Sequence, residues 1–199
     1  MEAKNIHPIF ERTLQRADKE KLLNQKAKVI WLTGLSGSGK STIAIGLEKT
    51  LHEHGFICYI LDGDNIRSGI NSNLGFSEED RTENIRRIAE VAKLFLNAGV
   101  ITLCAFVSPT NEIRALAKRI IGKENFMEVY VNTPLEVCEQ RDVKGLYAKA
   151  RKGEVKDFTG ISAPFDVPDG TAISISTTNK TPEESVKELF EIIKNSIKY

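Results

Sequence analysis

A chain of 199 residues suits one packed domain rather than two, because cores of this size are normally not split. Hydrophobic residues at 41% and charged residues at 28% exclude a largely disordered chain. The formal charge of +1, from 28 Lys+Arg against 27 Asp+Glu, excludes the broad basic surface by which nucleic-acid binders displace counterions.

The opening MEAKNIHPIFERTLQR is charged and lacks the apolar stretch of a secretion signal. No apolar run approaches the roughly 18 residues of a membrane span, so a cytoplasmic protein without membrane or nucleic-acid partners is expected. Residues 1–27 carry apolar side chains at Ile6, Phe10, Leu14, Ala17, Leu22 and Leu23, a loosely helical spacing too sparse for a core. They are expected to form a helical extension lying against the main domain, 28–199, or against a second copy. KVIWLTG then reads as a buried strand stopping at a glycine, and a glycine-rich loop leads into STIAIGLEKTLHEHG, a helical pattern ending at Gly55. FICYILDGD and GVITLCAFVSP repeat the strand signature. Between them an amphipathic helix carries Ile85, Ile88, Ala92 and Phe95 on one face, with Ser77 as its N-cap.

FMEVYVNTP and TAISIST supply two more strands, with helices after Pro134 and Pro182. Apolar strands alternating with helices predict an α/β protein with a parallel sheet flanked by helices. Residues 141–170 break this rhythm in a basic segment rich in Gly and Pro, too long for a plain connection, and are expected to act as a mobile lid. No internal repeat is visible. Cys58, Cys104 and Cys138 show no C-x-x-C spacing and are read as reduced core residues. His7, His52 and His54 lack metal-ligand spacing and are read as surface residues, Trp31 and Phe95 as core.

The chemistry starts at GLSGSGKST, residues 34–42. Its spacing fits a P-loop, whose glycines let backbone N–H groups turn inward around phosphate oxygens at a helix N-terminus. Gly34, Leu35, Ser36, Gly37, Ser38, Gly39, Lys40, Ser41 and Thr42 are thus the expected ATP-binding residues, with Lys40 reaching the β/γ-phosphates and Ser41 placed on Mg²⁺. No guanine-reading N/T-K-x-D motif is present. The third strand ends in FVSP, with Val107 and Ser108, where a motor protein often has a Walker B aspartate. Instead LDGDNIR puts Asp62 and Asp64 at a strand's C-terminal end, the edge where open α/β sheets bind ligands. Asp62 is the first candidate to orient an acceptor hydroxyl or the metal's water shell. Arg67, Arg81 and Asn84 follow as candidates to clamp an anion, Arg81 and Asn84 lying three apart on the predicted helix.

Taken together, GLSGSGKST, LDGDNIR, NLGFSEEDRTENIRRIAEVAKLF, FVSP and CEQRDVKGLYAKARKGEVKDFTGI, with their spacing, resemble the adenylylsulfate kinase family. The resemblance runs from about Asn5 to the C-terminal helix. It implies a P-loop nucleoside triphosphate hydrolase fold and Mg-dependent transfer of the ATP γ-phosphoryl group to the 3′-hydroxyl of adenosine 5′-phosphosulfate. It also implies that Asp64, Arg67, Arg81, Asn84, Val107 and Ser108 line the acceptor site, that Phe76 and Phe165 hold the acceptor's adenine, and that Lys144 reaches the substrates. Arg141 would contact ATP. Lys40, Asp62, Ser108 and Lys144 are the expected catalytic residues, although in-line transfer needs no phosphoserine at Ser108. A homodimer and a functional link to ATP sulfurylase are implied in the same way. The sequence departs from the family's pattern in SPTNEIR, which lacks a tyrosine and an arginine common after the serine-proline, and in Phe165-Asp166, where Tyr-Glu is common. Two other readings share parts of this pattern, another small-molecule P-loop kinase and a non-catalytic phosphosulfate-binding regulatory module, and acceptor preference or turnover separates them.

Overall fold

The computed structural model describes residues 6–199; the first five residues of the expected N-terminal extension lie outside it. Val29–Thr33 (β1) is an unbroken apolar and β-branched run buried along its whole length, which suits only a strand covered on both faces. Val29 and Trp31 point into one apolar cluster, Ile30 and Leu32 into the other, as the two-residue side-chain period requires. β1 is the middle of a five-stranded all-parallel sheet with Cys58–Asp62 (β2), Ile101–Ala105 (β3), Phe126–Asn132 (β4) and Ile173–Ser176 (β5), in the order β2-β3-β1-β4-β5. The five expected strands are all present, and every strand's C-terminal end faces the same edge.

Among the described residues, eight α-helices accompany this sheet: Arg16–Leu23 (α1), Lys40–Glu53 (α2), Gly63–Ser68 (α3), Glu78–Asn97 (α4), Asn111–Ile121 (α5), Leu135–Arg141 (α6), Leu146–Arg151 (α7) and Pro182–Ile197 (α8). α2 and α8 cover one face through Ile43, Leu47, Leu51, Val186, Leu189 and Ile193. α4 and α5 cover the other through Ile85, Ile88, Ala92, Ile113, Ala117 and Ile121. Truncating a side chain as fully enclosed as Leu47 costs about 2–5 kcal/mol, transfer and cavity together. Gly46, inside α2, shows why a poor helix former sits there: a Cβ would meet Val186 Cγ2 at 2.6 Å, so its absence lets α8 approach. The caps follow local chemistry. Ser77 Oγ accepts from Asp80 N at 3.1 Å at the start of α4, and Thr181 and Glu184 form a capping box on α8 with Pro182 at its first position.

The extension is stitched on by polar contacts rather than by a core. Arg16 donates to Asn125 Oδ1 at 2.7 Å, Lys19 Nζ donates to Asn97 O and Gln25 Nε2 donates to Gly99 O at 2.8 Å. Ile6, Ile9, Phe10 and Leu14 remain exposed. Within residues 141–170 the chain forms α7 and a Thr159–Ala163 bridge. Cys104 and Cys138 are buried and Cys58 half-buried, all as free thiols. No described helix is long and apolar enough to cross a membrane.

Candidate active site

The C-terminal edge of the sheet collects one contribution from each strand. After β1 the P-loop turns through Gly34, Gly37 and Gly39 at φ 149°, 71° and 108°, a backbone closed to side chains: a Cβ on Gly34 would stand 2.8 Å from Val131 O. Lys40 lies at the start of α2, buried, its Nζ donating to Gly34 O at 2.9 Å and Leu35 O at 2.7 Å. Burial lowers its pKa from 10.5 to about 8, because the loop offers carbonyls but no carboxylate in direct contact. Its ammonium is thus held for an anion that would replace those carbonyls.

The loop is pinned at three successive carbonyls, Ser36 to Ser38, with Gly37 O in the middle accepting from Arg141 Nη1 at 3.3 Å. Ser38 O accepts from Thr133 Oγ1 at 2.9 Å after β4, from Thr177 Oγ1 at 3.1 Å after β5, and from Arg141 Nη1 at 3.3 Å. Ser36 O accepts from the Tyr147 hydroxyl at 2.8 Å. A planar trans peptide carries its N–H opposite its C=O, so fixing the Ser36 and Ser38 carbonyls outward turns the Gly37 and Gly39 N–H groups toward the cradle. Thr133, Thr177 and Tyr147 were not singled out by sequence reasoning, although the two threonines sit at strand C-termini, where ligand sites form. Arg141, expected to contact ATP, also donates to Thr177 Oγ1 at 3.0 Å and Thr177 O at 3.1 Å, beside the loop. Thr42 is exposed on the first turn of α2.

β2 delivers the two aspartates to different duties. Asp62 Oδ2 accepts from Ser41 Oγ at 2.6 Å and Oδ1 from Asp64 N at 3.0 Å, capping α3. Both its oxygens are thus engaged, one by the P-loop serine and one by the α3 backbone. Asp64 faces outward with its side chain 72% exposed and forms an ion pair with Lys144, itself 54% exposed. Ser41 and Asp62 supply adjoining hard oxygens, a donor set that fits Mg²⁺.

Arg67 and Arg81 converge on Phe76, their guanidinium carbons 4.3 and 5.8 Å from its ring centroid. Arg67 donates to Gly75 O at 2.8 Å, and Arg81 to Phe76 O at 2.9 Å and Asp157 O at 2.8 Å. Burial first, then the charge of Arg81, lowers the pKa of Arg67. Two neighbouring cations whose partners are mostly neutral carbonyls would be relieved by an anion. Asn84 is buried, its Oδ1 accepting from Asn71 Nδ2 at 2.9 Å; it braces the turn before α4 rather than reaching out beside Arg81. Phe76 is 63% exposed and does not line the cavity of about 610 Å³ that Phe165 shares with Leu35, Tyr130 and Ile161. Phe165 stacks on Tyr130, centroids 5.9 Å apart at 21°. The two rings expected to sandwich adenine thus belong to separate walls.

After β3, Val107 O accepts from Thr33 Oγ1 at 2.7 Å. Ser108 adopts a left-handed backbone, φ 44°, and is buried with its Oγ accepting from Trp31 Nε1 at 3.0 Å. Trp31 packs between Phe106 and Phe126 as a core residue, and its one polar atom is spent on this serine.

Comparison with known proteins identifies the family. The family model described as adenylylsulphate kinase matches residues 26–176. An adenylyl-sulfate kinase of Bacteroides thetaiotaomicron is 66% identical over 194 residues, 97% of this chain and 96% of the relative. One from Phocaeicola vulgatus is 65% identical over 193 residues, 97% and 95% of the two chains. Among solved structures, the Mycobacterium tuberculosis APS kinase CysC in complex with AMPPNP and APS is similar at TM-score 0.81 and 44% identity, covering 85% of this chain and 98% of that one. A P-loop on a parallel sheet, paired arginines beside it and near-full-length likeness to these enzymes lead to one statement: the chain belongs to the adenylylsulphate kinase family.

Proposed function

We propose that this chain transfers the γ-phosphoryl group of ATP to the 3′-hydroxyl of adenosine 5′-phosphosulfate, giving 3′-phosphoadenosine 5′-phosphosulfate and ADP. The observation that carries the reading is the division at the sheet edge between a phosphate cradle pinned from behind and a carboxylate–ammonium pair, Asp64 and Lys144, turned outward beside it. The cradle N–H groups and Lys40 bind the triphosphate. Mg²⁺, held through Ser41 with Asp62 behind it, would shield charge on the phosphates when bound. Arg67 and Arg81 take the phosphosulfate, and Phe165 offers its ring to the adenine.

In the transfer the acceptor oxygen bonds to the γ-phosphorus as the bond to the β,γ-bridging oxygen breaks, so ADP leaves with that electron pair. Asp64 accepts the hydroxyl proton, since Asp62 already has both oxygens engaged and Asp64 does not. Lys144 neutralises charge on the moving group and holds Asp64 in place. The segment 141–170 acts as a lid over this exchange, anchored at one end by Arg141 and Tyr147 and at the other by Asp166, so that the stretch between the anchors moves and keeps water from the γ-phosphate.

The same reading, resting on family resemblance, includes a cytoplasmic homodimer that takes its acceptor from ATP sulfurylase. Phosphorus NMR of a mixture of the protein, MgATP and adenosine 5′-phosphosulfate tests the reaction. A new 3′-phosphate monoester resonance growing in step with ADP is expected. Free phosphate in its place, meaning hydrolysis, would contradict it.

A further inference from the structure

One buried guanidinium ties together the loop after β3, the strand β4 and the loop that carries Phe165. Arg114, in the first turn of α5, has a side chain only 2% exposed, and its Nε stands 2.8 Å from Glu128 Oε1. Nη1 donates to Ser108 O and Nη2 to Asp166 O, both at 2.7 Å, and Nη2 also donates to the Asn111 side chain. Its guanidinium carbon lies 5.6 Å from the Phe165 centroid. Glu128 and Tyr130 are two apart on β4 and share a face, so one strand supplies both the anchor of Arg114 and the ring on which Phe165 stacks.

Asp166 closes the same junction from the other side. Its N–H donates to Pro109 O at 2.8 Å, and its Oδ2 accepts from Asn111 N at 2.9 Å. Asn111 and Asp166 lie in the two stretches where the sequence departs from the family's pattern, and here they touch. Burying an ion pair is costly in itself, and burial lowers the pKa of Arg114. A planar fork that can join two carbonyls and a carboxylate at fixed angles is what a lysine would not provide.

We propose that Arg114, anchored by Glu128, is a positioning residue for the acceptor: it fixes the Ser108 turn and sets Phe165 against Tyr130, so that the acceptor's adenine meets a ring already held at its stacking angle. Turned inward, Arg114 touches no substrate and acts through Phe165. The proposal rests on the reading of Phe165 as the acceptor's stacking partner.

Steady-state kinetics of the full chain with Arg114→Lys, Phe165→Leu and the double variant tests it. Arg114→Lys raises KM for adenosine 5′-phosphosulfate about tenfold and leaves KM for MgATP within about twofold. Phe165→Leu raises the acceptor KM alone, and the double variant is no worse than Phe165→Leu, because the two act as a unit. An unchanged acceptor KM in Arg114→Lys, a parallel rise in both KM values, or additive effects would overturn the proposal. If Phe165→Leu leaves the acceptor KM unchanged, the reading of Phe165 falls and takes the proposal with it. A rise there with none in Arg114→Lys leaves that reading standing and removes Arg114 alone. Should Arg114→Lys fail to fold, Glu128→Gln serves instead, with a severalfold rise in acceptor KM expected and no rise overturning the proposal.

Discussion

The donor and acceptor halves of the site are built to different standards of rigidity. On the donor side the loop's carbonyls are fixed by Thr133, Thr177, Arg141 and Tyr147, and Lys40 is buried. On the proposed acceptor side Phe76, Asp64 and Lys144 are largely exposed, and Phe165 is the ring held in place, through the Arg114 junction. A triphosphate presents the same oxygens to every P-loop, so its cradle can be finished in advance from backbone N–H groups. The acceptor must be admitted and enclosed, and side chains on a short helix and on turns, such as Asp64 on α3 and Lys144 between α6 and α7, suit that task. Each prediction below strikes one half and leaves the other as its control.

The largest effect belongs to the donor half. Lys40→Ala is expected to lower kcat/KM for MgATP by about 1,000-fold, as loss of a preorganised charge at the transferring group does; near-normal turnover in a coupled ADP assay would place the phosphate elsewhere. On the acceptor half, Asp64→Asn is expected to lower kcat by about 100-fold with both KM values nearly unchanged. If Asp62→Asn instead gives that pattern and Asp64→Asn does not, the two aspartates have exchanged roles.

A pH profile sharpens the contrast without mutation. Burial holds the Lys40 pKa at about 8 against 10.5 in water, so the free enzyme's ammonium loses its proton as pH rises through about 8. kcat/KM for MgATP should fall about tenfold per unit beyond that point, whereas kcat persists to higher pH because bound phosphate favours the ammonium. Stability has the opposite sign. The unfolded chain keeps this proton up to about 10.5, so the folded state bears its full penalty below about 8 and gains stability as pH climbs from there. A kcat/KM limb that stays flat to pH 10 would contradict this account of Lys40. The smallest effect is expected from Thr133→Val with Thr177→Val, which removes a pair of hydroxyls 2.7 Å apart that bond to each other and to Ser38 O. At roughly 1 kcal/mol for each bond, kcat/KM for MgATP falls about tenfold or more while the acceptor KM stays put, and an equal change in both would make these threonines general supports.

Much of this was legible in the sequence where a backbone constraint forces a residue type. The P-loop glycines, the five apolar strands and the Ser77 cap each answer to local geometry, and Asp62 announces itself by closing a strand beside a glycine. The α5 helix was equally legible, since Ile113, Leu116, Ala117, Ile120 and Ile121 recur at helical spacing, but it was not singled out after FVSP. Arg114 was invisible: an arginine in a charged helix reads as solvated, and only the fold brings Glu128 and two carbonyls to it. Asn84 shared a helix face with Arg81 by spacing, but spacing does not reveal that Asn71 would occupy it. Contacts between residues distant in sequence depend on packing that no local pattern records.

Acceptor selectivity tests the central claim most directly. ADP release from MgATP should be measured with adenosine 5′-phosphosulfate, AMP, adenosine, gluconate or no acceptor. The account predicts strong stimulation by adenosine 5′-phosphosulfate alone, whereas equal rates with all acceptors, or stimulation by a different one, would contradict it.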